Sequence, residues 1–298
     1  MAISNATVVP IVYAAALFQV YRSKRVYADL LDRRYEGLLV NGGDRVRVSR
    51  IVDASVADYA ANQSSAITYT AADAAAVADI VLDKFKYWAI KLDDIHAAIS
   101  NADLLGASVE TAGIALAEQI DSDVYALWSA ATSNDGTSQG LADFTLDHDV
   151  SGGLSLADLK LPQIQRFLDN KNLPREGRFL VIGPYTMEIL QGLALQQGSL
   201  NAPYNAELRN GRIGQYAGLE IIVASDRNIT VSSNQGTEKW FYGNRTAYAM
   251  IEEIRRVESL RLQTHFQDAV RGLFGYGMKR MDTNRLFHTD VTIDNIPA

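Results

Sequence analysis

Four histidines, His96, His148, His265 and His288, are the side chains best suited to acid–base or metal chemistry, and their spacing works against both. No two stand at i,i+3 or i,i+4, as ligands on one helix face require. The one acid–histidine cluster, Asp93-Asp94-x-His96, falls where a strand pattern gives way to a helix pattern, and its residue types suit a turn or a cap. Gly211-x-x-Gly214-x-x-x-Gly218 lacks the Lys-Ser/Thr of a phosphate loop and precedes a strand, so tight turns account for these glycines. There is no G-x-S-x-G elbow. The absence of cysteine removes disulfides, thiolate metal sites and cysteine nucleophiles together. Glu252-Glu253 and Glu258-x-x-Arg261 bring carboxylates without a recognisable pocket and read as ion pairs on a strand surface. The chemistry-bearing residues therefore predict no catalytic site, no cofactor and no metal.

Partner classes narrow in the same way. A net charge of −7 disfavours sequence-reading of nucleic acid, which needs basic surface against phosphates. Phe85, Tyr87 and Trp88 beside Lys84, Lys86 and Lys91 form one strand, without a basic domain to support base stacking. The apolar start, Val8 to Leu17, has no preceding Lys or Arg and is too short to span a bilayer, so neither a signal peptide nor a membrane partner is expected. Ala15 to Asp32 reads as a short amphipathic helix, either part of a core or an arm lying on an adjacent subunit.

These residues sit on an uneven set of elements. Arg45 to Val52 alternates side chains with period two, as a two-faced ribbon does. Nothing apolar enough for a core lies between Asp53 and Ala78, and Ile80 to Leu92 is the run where pairing is expected to resume. An excursion of almost fifty residues (Asp44 to Leu92) far exceeds ordinary hairpin loops, and such length is normally functional. Ser100 with Asp103 resembles a capping box, and Leu105, Val109, Ala112, Leu116, Ile120, Val124, Leu127 and Ala131 recur at helical spacing, predicting a rod of roughly 48 Å. Thr132 to Gly153 reads as a linker. Leu156 to Asn170 is expected to be a helix bent at Pro162, Arg178 to Ile182 a buried strand, Tyr185 to Gln191 a helix, Gly192 to Pro203 a loop, Leu219 to Ala224 a strand, and Asp226 to Glu238 a polar loop. Trp240 to Ile254, Arg256 to Thr264 and Leu273 to Arg280 read as strands. The fold class is α+β, with a lobe from about Ser155 to Tyr242 interrupting a domain built from chain on either side.

Charge is segregated along the chain. Arg22 to Arg50 carries eight Lys/Arg against four acids, Leu92 to Leu159 carries twelve acids and no Lys or Arg, and Arg255 to Arg285 carries seven Lys/Arg against three acids. Head-to-tail contacts between copies would use such an arrangement, and so would separate solvated faces of one monomer.

The order of these pieces resembles the tailed-bacteriophage major capsid proteins of the Hong Kong 97-like fold, across roughly Tyr21 to Arg285. The resemblance rests on Tyr35-Glu36-Gly37 leading to Gly42-Gly43-Asp44-Arg45-Val46, on Lys86-Tyr87-Trp88-Ala89-Ile90-Lys91-Leu92-Asp93-Asp94, and on Leu168 to Arg178. Gly211-Arg212-Ile213-Gly214 before Gly218, and Val270-Arg271-Gly272-Leu273-Phe274-Gly275-Tyr276-Gly277, complete it. It implies an N-terminal arm (1–33), an extended β-hairpin loop (34–92), a peripheral domain with a spine helix (93–154), an axial domain (155–242), and return strands with the C-terminus (243–298). It also implies a virion protein, assembled in the host bacterial cytoplasm into hexamers and pentamers of an icosahedral head around double-stranded DNA. The expected partners are further copies of itself, a separate scaffolding protein, a portal, an optional decoration protein, and the packaged DNA without sequence preference.

Within that resemblance, Arg45, Arg47 and Arg50 are expected to line one face of the loop and to meet acids on the next subunit, with Asp121 and Asp123 as candidates. Some members weld neighbours through a loop lysine. No lysine occurs between Lys24 and Lys84, so no such cross-link is expected. The chain begins almost directly with the arm, so scaffold and protease are expected as separate proteins. Two rivals stay open on sequence: an encapsulin-like bacterial compartment shell, and an α/β enzyme with a dispersed site.

Overall fold

The computed structural model describes residues 25–38, 44–49, 77–93, 104–131, 142–147, 160–196, 215–216, 218–224, 229–232, 235–262, 266–282 and 284–294, with single positions at Val56, Asp58, Tyr59, Ala66, Ile67 and Tyr69. Ser100, His96, His148, His265, Gly211, Gly214 and Arg50, each named above, lie outside the described residues. The described chain is mixed α and β, with few helices and three sheets.

The largest sheet has seven strands. Its main path joins β4 (Phe144–Asp147), β12 (Leu286–Asp294), β9 (Gln235–Asn244), β5 (Arg178–Ile182), β7 (Leu219–Val223) and β6 (Gln215–Tyr216), while β8 (Ile229–Ser232) pairs with β9. Successive residues of a strand point to opposite faces. Accordingly Phe179, Val181 and Phe241 enter one core with Tyr27, Trp128 and Tyr248, whereas Leu180, Ile182, Trp240 and Tyr242 enter a second. Being covered on both sides, β5 reads as a near-unbroken apolar run, and all five of its residues are buried.

Two helices cover the second core. In α2 (Leu161–Asn170), Leu161, Ile164, Phe167 and Leu168 face inward at helical spacing. Pro162 opens this helix and does not bend it, because a proline in the first turn removes only a donor that has no partner there. Lys160, in the left-handed region at φ 52°, makes the turn before it. α3 (Pro184–Gln196) runs on through Gly192, where a loop was expected. Its N-terminus is capped by Glu238 of β9, which is fully buried. That carboxylate accepts the backbone N–H groups of Gly183 (3.2 Å), Tyr185 (2.9 Å) and Thr186 (3.3 Å) and the Thr186 hydroxyl at 2.5 Å. The expected polar loop Asp226–Glu238 is thus in part the β8–β9 hairpin, and its last residue is the cap.

The long helix α1 (Leu104–Ala131) has 28 residues, about 42 Å at ~1.5 Å each. Val109, Leu116, Ile120, Val124 and Trp128 are buried, while Glu110 and Glu118 face solvent. It packs on the three-stranded antiparallel sheet of β10 (Tyr248–Arg261), β11 (Gln267–Arg280) and β3 (Lys84–Asp93), ordered β10–β11–β3. Two glycines of β11 mark close approaches. Trp88 lies over Gly272, where an added Cβ would meet the indole nitrogen at 2.4 Å, and the Val81 carbonyl would lie 1.9 Å from a Cβ on Gly277.

Three sequence expectations need correction. The ribbon's return strand is β2 (Val77–Val81), paired antiparallel with β1 (Arg45–Ser49) in the register Arg45↔Val81 to Ser49↔Val77. Lys84–Asp93, expected in the same hairpin, pairs instead with β11, from Tyr276↔Lys84 to Gln267↔Asp93. Phe144–Asp147, placed in a linker, and Leu286–Asp294, placed with the return strands of 243–298, both join the seven-stranded sheet beside β9.

Candidate assembly surface

The N-terminal segment is tied down where the described chain begins. Asp121, midway along α1, accepts the backbone N–H of Val26 at 2.7 Å and of Ala28 at 3.0 Å. Asp32 exchanges backbone hydrogen bonds with the strand start, its N–H to the Tyr248 carbonyl at 2.9 Å and its carbonyl from the Met250 N–H at 3.0 Å. Glu252 of β10 is buried and pairs with Arg25 at 2.9 Å and Arg33 at 2.7 Å. Glu252, read from sequence as a surface charge, is therefore the buried anchor of this strap. Burial pushes the Asp121 carboxyl above its ordinary value, and the Val26, Ala28 and Tyr27 N–H groups and the Arg25 charge only partly offset it.

Asp121 is thus 8% exposed and engaged by its own chain, which takes it out of any surface that meets Arg45. Asp123 is also held internally, by the Tyr276 hydroxyl at 2.5 Å and Lys84 Nζ at 3.3 Å. Burial alone would raise its carboxyl, but the Tyr276 hydrogen bond and the Lys84 and Lys86 charges outweigh that and hold it below the usual carboxylate value. A carboxyl more acidic when folded stabilises the fold above the unfolded value, near pH 4, and that contribution is lost as the pH falls further. Asp123→Asn is expected to cost about 1 kcal/mol at pH 7, and thermal melts should show the gap to wild type closing below about pH 4.

The ribbon carries exposed charge and exposed apolar groups together. Arg47 forms a cross-strand pair with Asp79 at 2.9 Å, and Arg45 lies 3.3 Å from Asp44, both pairs open to solvent. Two of the three expected arginines are therefore presented on the hairpin, each already beside an acid of its own chain. Beyond the hairpin, Val56, Tyr59, Ile67 and Tyr69 are exposed, Val56 at 98% and Tyr69 at 86%. Groups this apolar gain by burial, at roughly 25 cal/mol per Å².

A second exposed apolar area escaped the sequence reading. On the face of the three-stranded sheet away from α1, Phe85 and Tyr87 of β3 and Leu273 of β11 stand in solvent, Tyr87 at 82%. With Ala89, Arg256, Glu258 and Arg271, Tyr87 and Leu273 border a groove of about 460 Å³. The signal was present in the sequence: Lys84-Phe85-Lys86-Tyr87-Trp88-Ala89 has the period of a strand with two unlike faces. Assigning that strand to the ribbon concealed which face was free. Among the described residues no group of three or more His, Cys, Asp or Glu is placed to hold a metal ion, and no helix is long and apolar enough to cross a membrane.

The described residues thus present three buried clusters, a β1–β2 hairpin with exposed apolar side chains at Val56, Tyr59, Ile67 and Tyr69 between its strands in sequence, and an exposed apolar sheet face. Residues 79–286, more than two thirds of the chain, match the family model described as phage capsid protein. Among solved structures, the chain is similar to one from Mycobacterium phage Che8, with 26% identity over 91% of each chain and a TM-score of 0.67. It is also similar in fold to the capsid of cyanophage P-SCSP1u (15% identity, 91% and 88% of the two chains, TM-score 0.62). A virus-like particle from Pyrococcus furiosus shares the fold more distantly (14% identity, 94% and 96%, TM-score 0.50). No curated protein matches the sequence. The chain belongs to the phage capsid protein family and is a major capsid protein, a structural component of the virion that self-assembles into a shell.

Proposed function

We propose that this subunit forms hexamers and pentamers that close an icosahedral head around double-stranded DNA, and that the ribbon is the clasp between neighbours. The observation that carries this reading is the exposure of Val56, Tyr59, Ile67 and Tyr69, which join none of the buried clusters. A lone chain gains nothing from displaying them; a chain with a sister copy beneath them buries apolar surface. In this reading residues 1–33 are the arm, strapped at its base by Asp121 and Glu252. The extended loop, expected over 34–92, ends at Val81, since Lys84–Asp93 pairs with β11. The peripheral part comprises the rest of 93–154 and 243–298 and takes in β3. The axial part, 155–242, takes in β4 and β12 as well. The exposed acids of α1, Glu110 and Glu118, would repel packaged DNA if that face lines the interior. Scaffolding and portal proteins are further partners of the assembling shell.

Arg45, Arg47 and Arg50 give the clasp its charge. Single exposed pairs are worth about 0–1 kcal/mol, so they act together and beside apolar burial. The variant carrying Arg45→Glu, Arg47→Glu and Arg50→Glu is expected to yield folded subunits, by circular dichroism, that form no particles in negative-stain images; normal particles would refute the role. With no lysine between Lys24 and Lys84, mature shells boiled in detergent should run as a single band at monomer size. A ladder of covalent multimers would contradict that.

A further inference from the structure

We infer that the groove on the outer face of the β10–β11–β3 sheet receives Tyr59 and Asp58 from the ribbon of a second copy, the ring against Tyr87, Ala89 and Leu273 and the carboxylate against Arg256 and Arg271. The inference rests on the reading that the ribbon engages a sister subunit, and it assigns the place where the ribbon lands.

The groove's chemistry defines its occupant. Its floor and one wall are apolar, and its volume of about 460 Å³ admits an aromatic side chain with its neighbours. Its other wall holds two guanidiniums against one carboxylate. Glu258 takes both Arg271, at 2.6 Å and 2.8 Å, and Arg256, and the Arg271 hydrogen bond holds its carboxyl below the ordinary value. One positive charge is left over on a rim where Arg256 and Arg271 are largely exposed. A fitting guest brings an apolar ring and a single carboxylate side by side.

The ribbon offers that pair once among its exposed described positions. From Ile51 to Asp83 it has five aspartates (Asp53, Asp58, Asp73, Asp79 and Asp83) and no Lys or Arg, so its charge is opposite to the rim. Val56 lies between Ser55 and Ala57, and Ile67 and Tyr69 lie among alanine and threonine residues. Tyr59 alone follows an acid, Asp58, and both are exposed, Tyr59 at 71%. Since Tyr59 is not packed on its own sheet, the groove it fills belongs to another copy. A ring seated in a desolvated hole and ringed by charge is the usual form of an interface anchor.

The chain has no cysteine, so engineered pairs report without background. Shells of a Tyr59→Cys, Leu273→Cys double variant, mildly oxidised and run without reductant, should give covalent multimers, while each single variant stays at monomer size. Double-variant shells that remain monomeric on the gel with both thiols still free would overturn the groove assignment and leave the clasp standing. A cross-link within one chain would overturn both. If the double variant does not assemble, Asp58→Arg decides: it should abolish particles, and adding Arg256→Asp with Arg271→Asp should restore them at least tenfold over Asp58→Arg alone. No restoration would overturn the inference.

Discussion

Excision of residues 50–76, with Ser49 joined to Val77 through an Asn-Gly turn, is expected to leave a folded subunit that makes no shell. The register Arg45↔Val81 to Ser49↔Val77 brings those two ends opposite each other, and a two-residue Asn-Gly connection matches the twist of an antiparallel pair. Val46, Ile80 and Leu82, the buried residues of this hairpin and its exit, pack with Ala249 and Ile251 and would remain in place. The removed stretch includes Val56, Tyr59, Ile67 and Tyr69, all exposed, so the body loses none of its own described core. Shortening the loop lowers its closure entropy cost, and stability in urea should rise by about 1 kcal/mol. Particles should vanish altogether. A shortened chain that still closed shells would show that the ribbon is dispensable.

The second large effect is expected far from any surface. Glu238→Ala should destabilise the subunit by about 3–5 kcal/mol, since buried donors deprived of an acceptor cost ~1–3 kcal/mol each. Three backbone N–H groups and the Thr186 hydroxyl converge on this carboxylate at the start of α3. A negative charge there also suits the positive end of the helix dipole. Glu238→Gln keeps one acceptor oxygen and should lose less than half as much. Room at the site is limited as well: a Cβ on Gly183 would come within 2.3 Å of the Glu238 carboxyl. Urea titrations of the three proteins test the order wild type, Gln, Ala. Equal stability of Glu238→Ala and wild type would remove Glu238 from its capping role.

How much of this was legible depended on whether the signal was local. α1 announced itself through Val109, Leu116, Ile120 and Val124 at helical spacing, and those residues are buried. β5 was readable because burial on both faces leaves an apolar run between two turns. Partner choice was not readable. Val77–Val81 and Lys84–Asp93 are neighbours in sequence, yet one pairs with β1 and the other with β11, and only the close approach at Gly277 marks where they part. β12 went unseen because His288 and Thr289, on opposite faces of the strand, are both buried, so polar residues interrupt the apolar pattern on each face.

The site residues divided along the same line. Arg45 and Arg47 are presented on the hairpin, because a short two-faced strand keeps its charges on the open side. Asp121 was misplaced by treating an acid on a helix as an acid on a surface, whereas Asp123 keeps part of its surface while it binds Tyr276 and Lys84. Asp121 sits one position from Ile120 on the inward side of α1, and the backbone of Val26 and Ala28 compensates its burial. Glu252 was missed in the same way, its partners Arg25 and Arg33 lying more than two hundred residues away. Charges that hold a strap and charges that meet a neighbour look alike until the fold sets their exposure.

Sedimentation velocity of the purified full-length protein at micromolar concentration tests the central claim most directly: the subunit is unfinished until another copy covers its ribbon. Hexamers, pentamers and larger closed particles are the expected species. A single stable species of 32.7 kDa, unchanged on concentration, would contradict it.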